Sequence, residues 1–163
     1  MTTQGGQANK TGNVLEQLVV GTLTVHGFNL VKYSEYIKNK GKYGTELLLR
    51  NVPYETLYNH RGYTEFLLKS DKFNLNIRIE CKWQQKGGSV DEKLPYVYLS
   101  AIYAVPENDV IILIDGKGFR DGAVNWLVNS ASEKKFITRD KINKNIRVMN
   151  TIEFLTWCNE TFK

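Results

Sequence analysis

Glu80, Lys82 and Gln84 stand at alternate positions of one extended run, and their types suit work on phosphate or a metal ion. Over 73–85, Leu75, Ile77, Ile79, Cys81 and Trp83 alternate with Asn76, Arg78, Glu80, Lys82 and Gln84. That period of two predicts a β-strand with one apolar and one polar face. Residues two apart lie roughly 6–7 Å apart on the same face. A charged row on an apolar strand is costly to bury without partners, so the face is either wet or a site. Glu65 lies in the strand-like segment just before, between Thr64 and Phe66. If the two strands form a hairpin, Glu65 comes beside Glu80. Two close carboxylates repel, and a divalent cation between them relieves the repulsion. Mg²⁺ takes oxygen ligands and commonly uses one or two carboxylates plus water. An ammonium such as Lys82 can help deprotonate or steady a water and offset charge on a phosphate. Hydrolysis of a phosphodiester needs such a set.

The bare pattern of an acid two before a lysine is weak, since it occurs four times: Glu80/Lys82, Asp91/Lys93, Asp115/Lys117 and Glu133/Lys135. Asp91 and Glu133 fall in polar helical or loop stretches, and Gly116 and Gly118 put Lys117 in a turn. Only Glu80 and Lys82 share one face of a clear strand with an acidic strand before it. A cross-strand ion pair between Glu65 and Lys82 on a wet face, worth about 0.2–1 kcal/mol, would explain two of these residues and no more.

The elements that must position them follow from periodicity and caps. Residues 1–12 are polar and read as a loose N-terminal arm. Asn13 is expected to cap a helix from Val14 to His26, stopped by Gly27. Residues 28–36 are a strand or an irregular segment, and Glu46 to Pro53 reads as a strand. A turn at 59–62 precedes a strand over 63–69, and a turn at 70–72 precedes the central strand. Gly87 and Gly88 end that strand. Ser89, with Glu92 as capping-box partner, is expected to start a helix through Ala104, which Pro95 kinks or delays. Asp109 to Asp115 is an apolar strand of the buried kind. A helix over 120–131, a short strand over 147–149 and a helix over 151–161 capped by Asn150 complete the chain. The order predicts one α/β (α+β) domain over 13–163, a central mixed sheet flanked by helices on both faces.

Glu65 followed by Glu80-Cys81-Lys82 on the next strand resembles the PD-(D/E)XK nuclease superfamily, over roughly 13–131. The resemblance implies a restriction-endonuclease-like core and a Mg²⁺-dependent DNA endonuclease, with Mn²⁺ as a substitute ion. It implies metal ligation by Glu65, Glu80 and the backbone carbonyl of Cys81, with Lys82 at the attacking water. It also implies a further acid from the first helix, matched by Glu16, and an auxiliary role for Gln84. The family's first acid is usually an aspartate after a proline; Thr64 and Glu65 stand here, so that half of the signature is degenerate. Arg61, Lys86 and Lys93 flank the site and are candidates for contact with DNA backbone. Cutting both strands calls for two active sites, hence a homodimer. Restriction-type and structure-selective or junction-cleaving roles both fit so short a chain.

Composition narrows the alternatives. The chain has 163 residues, 42% hydrophobic and 24% charged, with a net charge of +5, which favours an anionic partner. No apolar run approaches the roughly 20 residues of a membrane span, and the first residues lack the apolar core of a signal peptide. Two unpaired cysteines, Cys81 and Cys158, fit a reducing, cytoplasmic compartment. Two histidines, His26 and His60, argue against zinc and against histidine-rich nuclease chemistries. The rival readings are a catalytically inactive nucleic-acid-binding module of the same fold, or a structural protein whose charged sheet face is wet.

Overall fold

A computed structural model describes the backbone over 4–163 and the side chains over 14–163 apart from that of Ser89. Six strands form one mixed sheet in the order β1-β2-β3-β4-β5-β6. They are β1 (Asn29–Lys32), β2 (Leu47–Glu55), β3 (Arg61–Ser70), β4 (Leu75–Trp83), β5 (Asp109–Asp115) and β6 (Asn145–Met149). β1 runs parallel to β2, β2 to β4 form an antiparallel meander, and β4, β5 and β6 run parallel. The helices are α1 (Gln4–Val25), α2 (Tyr33–Tyr36), α3 (Lys93–Tyr103), α4 (Asp121–Ser132) and α5 (Thr151–Thr161).

The predicted sandwich of helices around a mixed sheet is what forms. β5 shows why its sequence is a continuous apolar run. Ile111 and Leu113 pack under α1 and α5, with Leu15, Val19, Leu23, Phe154 and Cys158. Val110, Ile112 and Ile114 pack on the other face under α3 and α4, with Val97, Tyr98, Ala101 and Leu127. A strand covered on both sides needs apolar residues at every position. A smaller cluster of Val31, Leu47, Leu49, Val52 and Leu67 is covered by Tyr33, Tyr36 and Tyr43.

Several boundaries differ from the expected ones. α1 begins at Gln4 rather than after an Asn13 cap. Once Leu15, Val19 and Leu23 are packed, extending the helix upstream costs little, because nucleation is already accomplished. The expected arm therefore contains helix from Gln4, and residues 1–3 lie outside the described residues. β2 continues through Pro53 to Glu55. β1 pairs with β2 only as far as Arg50, so Pro53 lies where β2 has one free edge and no missing N–H is felt there. Instead of a helix capped at Ser89, a 3₁₀ turn occupies Ser89–Glu92, with no side-chain cap, and α3 starts at Lys93. Pro95 is then in the first helical turn, where its missing N–H has no intrahelical partner to lose. The Asn150 cap forms as expected: its Oδ1 accepts from the Glu153 amide at 2.8 Å, and a Glu153 carboxylate oxygen accepts from the Asn150 amide at 2.8 Å.

Candidate active site

The site begins where two strands part. β3 and β4 pair from Ser70↔Leu75 to Phe66↔Ile79 and no further. Beyond that point β3 stays with β2 to Arg61↔Glu55, and β4 stays with β5 to Trp83↔Asp115. The sheet splits into a V, and Glu65 and Glu80 are the first residues past its vertex. The split strips the Cys81 amide of a β3 carbonyl. Glu65 replaces that acceptor: its Oε2 takes the Cys81 N–H at 3.0 Å. An unmet buried amide would be costly, so the carboxylate itself holds the strands apart at the required spacing. Amide and carbonyl of one strand residue point to the same side, so the Cys81 carbonyl also faces the gap.

Glu80 and Lys82 lie on the α3 side of β4, and their side chains form an ion pair. The Glu80 side chain is 18% exposed, yet its Oε2 is buried and has no hydrogen-bond partner. Burial pushes the Glu80 carboxyl up to about 7; Lys82 opposes the rise, and the Glu65 charge adds to it. For Lys82, burial favours the neutral amine, but Glu80 and Glu65 outweigh it and hold the ammonium well above the ordinary lysine range. Glu16 on α1 is raised chiefly by burial and then by the Glu65 charge, and Arg50 on β2 opposes this through an ion pair at 3.5 Å. The Cys81 thiol is buried under α1 and pushed well up by burial and by the surrounding carboxylates, so it does not serve as a thiolate nucleophile.

Of the residues singled out in the sequence, Glu65, Glu80, Lys82 and the Cys81 backbone converge, and Glu16 is close enough to feel Glu65 and Lys82. Gln84 does not join them: its Nε2 donates to the Lys86 carbonyl at 2.6 Å. Its backbone is clamped by the loop after β5, whose Gly118 amide donates to the Gln84 carbonyl at 2.8 Å. Arg61, Lys86 and Lys93 are exposed on three separate elements: the β2–β3 hairpin, the loop after β4 and the start of α3. The rival cross-strand ion pair of Glu65 with Lys82 does not form; Lys82 pairs with Glu80 instead.

Other members of the site have weaker sequence signals. Arg78, in the same polar row as Glu80, is 2% exposed and anchors the fold. Its Nε and Nη2 donate to the Glu107 carboxylate at 2.8 and 3.0 Å. Its Nη1 donates to the Val52 carbonyl at 3.2 Å and to Thr64 Oγ1 at 3.0 Å. It thus ties the splayed β2–β3 hairpin to the start of β5. Tyr54 walls a narrow cavity with Thr64, Arg78, Glu80, Tyr96 and Ser100. Its phenol is raised by burial and then by the Glu80 charge. Tyr54 lies opposite Gly62, and a Cβ there would come within 3.2 Å of the Tyr54 ring. That cross-strand pairing of tyrosine with glycine is the one sequence signal that marks it.

The donor set suits a hard divalent cation. Glu65 and Glu80 bring two carboxylates to one gap, Glu80 has an unsatisfied buried oxygen, and the Cys81 carbonyl faces the same gap. Among the described residues no group of three or more His, Cys, Asp or Glu side chains gathers at metal-binding distance. A pair of carboxylates completed by backbone and water oxygens is the manner in which Mg²⁺ is commonly held.

Comparison with known proteins agrees with this geometry. A family model described as a PD-(D/E)XK nuclease superfamily domain matches residues 7–162. No curated protein and no solved structure gives a match. Among the described residues no helix is long and apolar enough to cross a membrane. The family match takes in nearly the whole chain, including both arms of the V and the helix that brings Glu16 to it, and the chain belongs to the PD-(D/E)XK nuclease superfamily.

Proposed function

We propose that the protein is a Mg²⁺-dependent DNA endonuclease whose centre is the gap between β3 and β4. The observation that carries this reading is the buried, unpartnered Glu80 oxygen beside Glu65 and Lys82 at the vertex of the split. Glu65, Glu80 and the Cys81 carbonyl would hold the ion, which when bound supplies Lewis acidity and lowers the pKa of a water. Glu65 has a second task, since its bond to the Cys81 amide fixes the position of both strands. Lys82 stays cationic, so it donates hydrogen bonds to a water or a phosphate oxygen and offsets negative charge; it does not act as the base. Glu16, paired with Arg50, would orient a water at the α1 side of the gap. Exposed Arg61, Lys86 and Lys93 contact DNA phosphates, and a homodimer supplies the second site for a double-strand cut.

The test is cleavage of supercoiled plasmid and of branched DNA with Mg²⁺ and with EDTA. Nicked or linear product that needs Mg²⁺ supports the reading. Salt-sensitive DNA binding by folded protein without cleavage of either substrate would instead leave a catalytically inactive binding module.

A further inference from the structure

The tip of the β2–β3 hairpin carries more exposed aromatic surface than its fold requires. Tyr58, on the α3 side of the hairpin, is 69% exposed, and Tyr63, on its other side, is 57% exposed. The Tyr58 ring stacks on Tyr96 with centroids 5.6 Å apart and planes 14° from parallel, and His60 stands 6.0 Å from the same ring. The Arg61 guanidinium lies over the Tyr63 ring at 5.6 Å. Two backbone hydrogen bonds close the tip: the Thr56 amide donates to the His60 carbonyl and the Asn59 amide to the Thr56 carbonyl, both at 2.9 Å. Asn59 takes a left-handed φ of 60° to close the turn, a conformation asparagine tolerates.

Two connections join this tip to the site. Tyr54 walls the narrow Glu80 cavity and also the open cleft of about 280 Å³ formed with Pro53, Glu55, Asn59, His60 and Arg61. Tyr96, under the Tyr58 ring, lines the Glu80 cavity as well. The cavity itself, about 30 Å³, is far too small for a base, so the cleft and the exposed rings are where a base can lie. Arg61, exposed over the Tyr63 ring, supplies a cation for the phosphate beside a stacked base. Exposed rings beside a cation favour flat π-faces, which every base has and which a paired duplex hides.

We propose that the β2–β3 hairpin is a stacking platform for unpaired bases, and that the substrate class is DNA with a single-stranded segment adjoining a duplex. This rests on the nuclease reading for its purpose, but not for its measurement. Binding is read by fluorescence anisotropy in EDTA, so that no cleavage is involved. The probes are a blunt duplex, the same duplex with a single-stranded extension, and the same extension built of abasic nucleotides. The extended duplex is expected to bind at least about five-fold more tightly than the blunt one, as one stacked base would give. The abasic extension keeps the phosphates and is expected to lose that gain. The Tyr58→Ala, Tyr63→Ala double variant, checked for an unchanged melting temperature, is expected to lose it too, while Tyr58→Phe keeps it. Equal affinity for blunt and extended duplex, or a gain that survives in the abasic probe, would overturn the proposal. A retained preference in a protein that never cuts DNA would uphold the platform and overturn only the nuclease reading.

Discussion

Glu80 has one carboxylate oxygen bound to Lys82 and another buried with no partner. Its folded-state carboxyl sits at about 7, above the ordinary value of 4.5. Folding therefore takes up a proton: this stabilising contribution is full below about 4.5 and is lost as pH rises through about 7. A divalent ion would relieve the charge that remains. Mg²⁺ is thus expected to raise the melting temperature more at pH 8 than at pH 5.5, and thermal melts at both pH values check it. Glu80→Gln removes the charge but keeps the shape. It is expected to remove the loss of stability between about pH 4.5 and 7 that Glu80 causes, and to abolish the response to Mg²⁺. Alternation made Glu80 and Lys82 legible in the sequence. It could not separate them from Arg78, which occupies the same row but is consumed by Glu107. The partner lies 29 residues away in the chain, beyond the reach of any local pattern.

Besides Glu65, two devices fix the elements around the gap. The first is Arg78, whose bonds reach Glu107, Val52 and Thr64 across the splayed strands. Glu107→Ala leaves that guanidinium buried and uncompensated, and is expected to cost about 3–5 kcal/mol in urea denaturation. The second is the loop after β5. Gly116 has a φ of +106°, and a Cβ there would fall 2.1 Å from the Gln84 carbonyl oxygen. Gly116→Ala is therefore expected to destabilise the protein by more than about 2 kcal/mol, measured the same way, since it combines a left-handed strain with a backbone clash. Periodic elements were legible: β5 and α5 have the predicted bounds, and Asn150 caps as its sequence suggests. Elements set by packing were not. The upstream part of α1 has no apolar stripe of its own, and the 3₁₀ turn at Ser89–Glu92 replaces a helix start whose capping residues looked sufficient. The separation of β3 from β4 is likewise invisible to alternation, which continues unbroken through Glu80 while the pairing stops at Ile79.

For the whole molecule, a net charge of +5 gives any anionic polymer a favourable long-range field. If Lys86 and Lys93 contact phosphates as proposed, each change to alanine should weaken binding across all sequences and lower the salt slope by about one. Anisotropy titrations over a range of salt concentrations read both quantities. A mixed sheet covered by helices on both faces, split at one edge of its parallel half, delivers two carboxylates and a lysine to one gap from residues 17 positions apart at most. The most direct measurement is single-turnover cleavage of labelled DNA in Mg²⁺ by the unaltered protein and by the Glu65→Gln, Glu80→Gln and Lys82→Ala variants. Loss of at least about 100-fold in each, with folding and DNA binding retained, is the predicted result. Cleavage at an unchanged rate by folded Glu80→Gln protein would contradict the assignment of the centre to the gap between β3 and β4.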